Sequence, residues 1–580
     1  MKLFDNRMHN FCVIFVAGIF LLSSPSATLA EGELVLDSSI SVITILANKT
    51  TTVWLRSPFY GFSYITFQFH TQISNLSLSS EPSFGSDTTK TGTSVGILTI
   101  LQPKQDNVTL YMRVSGPDNV TAVALMDFHD SNDPLPGGCN QVFNLPIDPS
   151  IVLLTKPYRT DVWFQWANVA VGQGLPLPDC ENKIVQSNLT YEVYVYYLAQ
   201  GDQSEHEFIN SVKKMIDPVN IKKYGSKVVS TRDGPSAKSI LSVMSQANQG
   251  ALYAVVVTRQ DTGRSAAYTT AVSYGCSFEK EECTTQTSIE EIFWSIAVGV
   301  FGIFLLLVGH QFFKTTQFVF GYIFTALLIY ILLSIPHSYE DSIKIPVSLG
   351  LGVVGGLLWL AFWYFIQFPI ISVFLAGLCS GYLIASVVFF TPLANIDWWL
   401  TELNYGMGFT CVILIFTVGL MAFTKVLSIL SCALVGAFML LLSIAIPFQS
   451  SLKLIFLNSI YHQTQSNYLD VKVVFPYYTL DIVLTVLWPV LVLASFCLQW
   501  RQAKGKPAFN VWRRGSHTLE QVPNQYSYDA EDEERNNTST GSSVADERRK
   551  LLGSGGRAYG TADENSQGSS QGQREKNLLT

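Results

Sequence analysis

The sequence predicts an α+β multidomain membrane protein: a β-rich, sandwich-like ectodomain, then an all-α bundle of seven transmembrane helices, then a disordered tail. Three observations carry this. Mean hydropathy is +0.27 and only 14% of the 580 residues are charged, against about 25% in ordinary soluble domains. After Glu291 the apolar residues gather in blocks of membrane-spanning length. Before them the chain is polar, alternating and broken by turn signals. A net charge of −7 with no basic stripe argues against nucleic acid as a partner.

Residues 1–30 read as a signal peptide. Lys2 and Arg7 form its basic region, Phe11 to Leu22 is a 12-residue apolar core, and Thr28-Leu29-Ala30 offers small residues before a cut. Twelve residues are too few for a bilayer, which takes about 20.

Residues 31–290 form the expected lumenal or extracellular domain. Tyr64 to His70 and Tyr191 to Tyr196 alternate with the period of half-buried strands, and Ala254 to Val257 reads as a buried one. Ser204 and Glu207 make a capping box for a helix whose Phe208, Val212, Met215 and Ile216 share a face and which Pro218 ends. The length suits one or two sandwich modules, with a split near Pro149. Five glycosylation sequons, at Asn48, Asn75, Asn107, Asn119 and Asn188, fall here and none in the apolar half. Of nine cysteines, Cys12 leaves with the signal and Cys379, Cys411, Cys432 and Cys497 lie in apolar segments. That leaves Cys139, Cys180, Cys276 and Cys283 for disulfides in an oxidising compartment. Three pairings are possible; Cys139–Cys180 with Cys276–Cys283 is preferred, because the second staples a short loop beside the membrane. Asp127, His129, Asp130 and Asp133 cluster without an EF-hand pattern, which favours a solvated turn over a calcium site. Trp163, Phe164 and Trp166 read as mostly core, with one face outward.

Residues 291–500 hold seven predicted spans, at about 292–309, 317–335, 345–365, 368–390, 406–423, 426–446 and 481–499. The 46 uncharged residues 345–390 would form one helix more than twice the bilayer core, so they must reverse at Gln367 and Pro369. Lys314, Lys425 and the Arg501, Lys504, Lys506 cluster fall on one side, and most loop carboxylates on the other. The positive-inside rule and the sequons both put the amino terminus outside and the tail, 501–580, in the cytosol.

Particular blocks resemble a known family. Asp133 to Asn140, Ala266-Ala267-Tyr268, Tyr274 to Glu279, Gly309 to Thr315, Gly355-Gly356, Phe389 to Leu393 and Gly505-Lys506-Pro507 are similar, in the same order, to the transmembrane 7 superfamily member 3 family. The membrane half also resembles the transmembrane protein 198 family. The resemblance covers about 31–510. It implies a signal-led ectodomain, a seven-helix domain unlike rhodopsin-like receptors, and a role in cell survival and attenuation of cellular (ER) stress. It implies no catalytic residues.

The third span lacks Asp/Glu-Arg-Tyr and the seventh lacks Asn-Pro-x-x-Tyr, so no G protein is expected. Ion coupling requires ionisable groups at depth; Asp481 stands only at the edge of the last span, where it reads as a solvated cap. His310, His337 and His462 lie on different sides of the bilayer, so they cannot share a metal, and His310 is placed at the cytosolic surface. No nucleophile elbow or P-loop occurs, so neither an enzyme nor a cofactor is expected. Gly352 and Gly356, and Gly377 and Gly381, are GxxxG pairs that suit helix packing within one bundle. The tail is low in apolar periodicity but carries Glu547 with Leu551-Leu552, a dileucine pattern read by clathrin adaptors, and a weaker Leu578-Leu579. The whole is read as a non-enzymatic multipass glycoprotein of plasma or endolysosomal membrane, receptor-like or scaffolding, with an unknown protein ligand or co-receptor on the ectodomain. The alternative is a channel or transporter for a neutral solute or lipid.

Overall fold

The computed structural model describes residues 33–35, 40–56, 59–156, 158–199, 201–231, 240–246, 248–276, 283, 289–335, 341–366, 368–465, 468–474 and 478–505. The signal peptide, His337 and the tail with Glu547, Leu551 and Leu552 lie outside them.

The first β module is a two-sheet sandwich. One sheet runs Glu33–Val35, Thr51–Arg56, Asn107–Val114, Leu76–Ser79, Thr89–Gly92, and the other Ser41–Ile45, Val120–His129, Tyr64–His70, Ser94–Ile100. Alternate residues such as Ile43, Val53, Phe67, Phe69, Leu110 and Met112 fill the space between them, because successive side chains leave a strand on opposite faces. The Tyr64–His70 strand departs from its expected half-exposure: all seven residues are buried. Its polar face is covered by the second module, where Tyr64 packs on Leu135 and Ala170. On the neighbouring strand a Cβ at Gly96 would overlap the Thr269 side chain.

The second module begins with Pro134–Cys139, which pairs with Trp166–Val169. It therefore starts before Pro149, and the turn at Asp148 and Pro149 lies inside it, so close to Gly137 (φ +67°) that a Cβ there would strike the Asp148 carbonyl. A three-stranded sheet, Ile151–Thr155, Arg159–Phe164, Ile240–Met244, and a five-stranded one centred on Leu189–Tyr197 and Ala251–Arg259 complete it. Three helices accompany them: α1 (Lys183–Ser187), α2 (Glu205–Lys214) and α3 (Pro218–Tyr224). Ala251–Arg259 reads as a continuous apolar run because both faces are covered. Tyr253, Val255 and Val257 join the inner core, while Leu252, Ala254 and Val256 meet Phe208, Val212 and Met215 of α2 and its end. The capping box forms by half: Ser204 Oγ accepts from the Glu207 N–H, but the Ser204 N–H donates to Asp202 instead.

The helical region comprises α4 (Ile289–Val308), α5 (Phe313–Ser334), α6 (Asp341–Ile366), α7 (Pro369–Val388), α8 (Glu402–Met421), α9 (Thr424–Ala445), α10 (Leu452–Thr464) and α11 (Thr479–Ala503). All except α10 are long and apolar enough to cross a membrane, giving seven candidate spans among the described residues. α6 and α7 are separate helices, the second starting at Pro369, where a proline costs no backbone hydrogen bond. α7 and α9 are the most enclosed. The helices approach through glycine: Gly302 of α4 faces Leu440 and Gly436 of α9, where a Cβ would lie 2.7 Å from the Leu440 nitrogen. Among the described residues of the spans, charges sit at the ends, as at Glu290, Lys314, Glu402, Lys425 and Arg501, where water or headgroups are near.

Candidate functional site

The two regions meet at the long connection between α10 and α11. An extended chain with alternating apolar residues can complete an open sheet edge, since that edge presents unpaired N–H and C=O groups. Lys472 does this. Its N–H donates to Ser242 O (2.8 Å) and its C=O accepts from the Met244 N–H (3.1 Å), a parallel bridge that extends the Ile240–Met244 edge. The next residue is held from the other side. The Asn395 amide donates to Val473 O (3.1 Å) and accepts from the Val473 N–H (2.9 Å), imitating a strand partner. The Lys472 ammonium donates to Asn395 O (3.1 Å).

Aromatic residues seal the contact. The Tyr158 ring of the β region lies tilted at 5.4 Å from Tyr461 on α10 and 6.0 Å from Tyr468, around Met244, Phe390 and Val471. Tyr197 Oη donates to Val474 O (2.6 Å). Tyr478 Oη donates to Leu198 O and accepts from the Gln249 amide (2.7 Å). Burial pushes the Tyr197, Tyr468 and Tyr478 phenols far up, so they remain protonated donors at physiological pH. Arg159 pairs with Asp161 and reaches Asp470 at 3.9 Å.

Asp481 is not a solvated cap. It is 4% exposed and accepts from Ser450 Oγ and the Ser451 N–H as well as the Tyr478 N–H (3.3 Å). One buried carboxylate thus ties the start of α11 to the turn before α10, satisfying helix-end donors that lie away from water. His310 is also buried rather than at an open surface. Its Nδ1 lies 3.2 Å from Ser428 Oγ and its backbone N–H donates to Gln499 Oε1 (3.0 Å). Burial, with Lys425 nearby, lowers its pKa to about 4. His310 lies between α4 and α5 and His462 on α10, at opposite ends of the bundle.

The remaining sequence-derived residues fall as follows. Cys139 bonds Cys180 and Cys276 bonds Cys283. Asn48, Asn107 and Asn119 are exposed, and Asn75 and Asn188 partly buried; the Asn188 side-chain Oδ1 accepts from the Asp261 N–H. Gly352 and Gly356 face Ala326 and Phe318 of α5, while Gly377 and Gly381 face Thr417 and Ile413 of α8, all within one bundle. Phe164 and Trp166 are buried, with Trp166 edge-on to Tyr191 at 4.7 Å; Trp163 is half-buried against Phe143. In the Asp-rich turn, His129 sits between Asp127 (3.5 Å) and Asp133 (3.3 Å), stacked on Tyr64. Burial raises the Asp127 carboxyl against the pull of His129. At Asp133 burial pushes up, but the hydrogen bonds from His129 and the Asp130 N–H outweigh it and the pKa falls. These carboxylates serve the turn, and no group of three metal-ligating side chains exists among the described residues.

The junction residues themselves escaped the sequence reading. The one signal was length: residues 447–480 are 34 residues between spans, and connections beyond about 15 residues usually carry structure or function.

Family models match in three blocks: a TM7SF3-like, N-terminal immunoglobulin-like domain at 34–126, a TM7SF3-like, second immunoglobulin-like domain at 134–279, and a TM7S3/TM198-like domain at 294–500. Transmembrane 7 superfamily member 3 of Rattus norvegicus is 30% identical over 461 residues, covering 78% of this chain and 81% of the relative. The chain belongs to this family. The Homo sapiens member of the transmembrane 7 superfamily member 3 family is 29% identical over 508 residues, covering 85% of this chain and 88% of its own. Likeness to solved structures is slight. A β-glucuronidase from an uncultured Clostridium gives a TM-score of 0.15 at 7% identity, over 38% of this chain and 34% of that one, which carries no argument.

Proposed function

We propose that this family member is a receptor-like or scaffolding glycoprotein, non-enzymatic, whose N-terminal β region recognises a protein partner. The seam at Lys472 supports the reading most directly. A partner pulling on or reorienting the β region would act through backbone hydrogen bonds on the connection that enters α11, rather than on a slack linker. In this reading the amino terminus is outside, Asn48, Asn75, Asn107, Asn119 and Asn188 carry glycans, and the protein resides in plasma or endolysosomal membrane. Clathrin adaptors would engage Glu547, Leu551 and Leu552; changing both leucines to Ala should shift the protein toward the surface, and an unchanged distribution discards that motif. The family resemblance supports a role in cell survival and attenuation of ER stress.

The test is lumenal-side proximity labelling in intact cells, comparing the full chain with one lacking residues 31–288. Neighbours lost on truncation are expected. An unchanged neighbour list overturns the reading and turns attention to the bundle as a conduit for a neutral solute or lipid, assayed by flux in liposomes.

A further inference from the structure

Beside the junction, α7, α8 and α10 enclose a half-open cavity of about 620 Å³, within the range of about 300–1,000 Å³ that small-molecule sites occupy. Its walls are aromatic: Tyr405 stacks on His462 at 4.2 Å and Tyr382 lies edge-on to Phe409 at 5.2 Å. Two buried polar atoms have no hydrogen-bond partner, Tyr405 Oη and His462 Nδ1, and both residues line this space. Tyr405 is 5% exposed. Buried polar atoms left unpaired are unfavourable, and a bound hydroxyl would pair them. The mouth opens on the outer face of α8 at Gly406 and Thr410, both exposed, one helical turn apart in the first half of a candidate span. At Gly406 an added Cβ would meet nothing within 4 Å.

Charge narrows the occupant. Among the described residues, the only formally charged one lining the cavity is Glu402, which would repel a phosphate headgroup, and no described Lys or Arg lines it to pair with one. The two open positions are a phenol and an imidazole, matched to a group that both donates and accepts. The volume takes one rigid apolar body and is too small for a two-chain phospholipid. We propose that this cavity binds a neutral, hydroxyl-bearing lipid of the sterol class, its hydroxyl between Tyr405 Oη and His462 Nδ1 and its body against Phe409 and Ile413. The site is independent of any partner of the β region.

The full chain in nanodiscs, labelled with a photoreactive cholesterol analogue and mapped by peptide mass spectrometry, tests this. Labelling should concentrate on α8 and α10 and be displaced by unlabelled cholesterol. Gly406→Phe, placed where an added Cβ meets nothing within 4 Å, should block the mouth and lower labelling there about tenfold, and Tyr405→Phe should lower it several-fold, the worth of one hydrogen bond. Tyr405→Phe removes a hydroxyl that has no partner, so it keeps the test open should Gly406→Phe fold poorly. Labelling that resists competition, spreads evenly over the lipid-facing helices, or survives both variants overturns the proposal. So does a photoreactive phospholipid that labels the same peptides and displaces the sterol.

Discussion

The β region and the bundle reach a packed interior by opposite routes. In the β region large side chains interdigitate: Phe67, Phe69, Phe164, Tyr191 and Tyr253 are buried, driven by removal of apolar surface from water. In the bundle helices approach closely at glycines such as Gly302, Gly352, Gly356 and Gly436, and large residues such as Leu358, Phe365 and Ile415 point outward. Lipid is as apolar as leucine, so helices there gain by close van der Waals fit and interhelical hydrogen bonds rather than by burying bulk. Ser495 donating to Leu306 O (2.7 Å) and Ser380 bonded to Ser431 (2.9 Å) are of that second kind. Size changes should therefore be punished in opposite directions.

The largest effect is expected from that contrast. Phe67→Ala should destabilise the β region by about 3–5 kcal/mol, read as a lower thermal midpoint, whereas Leu358→Ala, at a 65% exposed position of α6, should change little. Gly436→Leu should do to the bundle what Phe67→Ala does to the sandwich; equal tolerance of both would break the comparison. Next, losing the Cys139–Cys180 link through Cys180→Ser should cost about 2–5 kcal/mol, visible as early unfolding of the β region alone.

Acid should weaken the β region through His70. His70 is buried, its Nε2 without a partner, and burial lowers its pKa to about 4. An unfolded chain takes up that proton near 6.5. Stability is therefore complete above about pH 6.5, falls as pH drops toward 4, and then levels, a loss of about 3 kcal/mol. His70→Asn should flatten that slope in thermal scans from pH 7.5 to 4; parallel slopes would refute the assignment. The smallest effect is at the seam. Lys472→Pro removes the N–H that reaches Ser242 O and the ammonium bonded to Asn395 O, for about 1–2 kcal/mol together. It should raise hydrogen exchange along Ile240–Met244 without unfolding either region, and unchanged exchange there would mean the seam holds nothing.

Much of this was legible. The seven spans follow from run length and charge, and α6 and α7 part where the Gln367–Pro369 reversal was expected. Tyr64–His70 differs from its pattern because alternation reports the residue's own polarity, whereas its burial depends on what covers it, here Leu135 and Ala170 from another module. Asp481 differs for the same reason: an acid at a helix edge looks solvated until Ser450 and Ser451 are folded over it. Gly302 and Gly436 carry no GxxxG partner of their own, so only their mutual approach gives them away.

By itself the sequence determined the division into a β region and a seven-helix region, since period and hydropathy are local properties of the chain. It also singled out the four cysteines that pair, because their number and their separation from the apolar segments are local too. Only the tertiary structure decided what joins the two regions and what cavity lies beside the join. Lys472 and Ser242, or Tyr405 and His462, are far apart in the chain, and a contact between distant residues leaves no periodic trace in either segment.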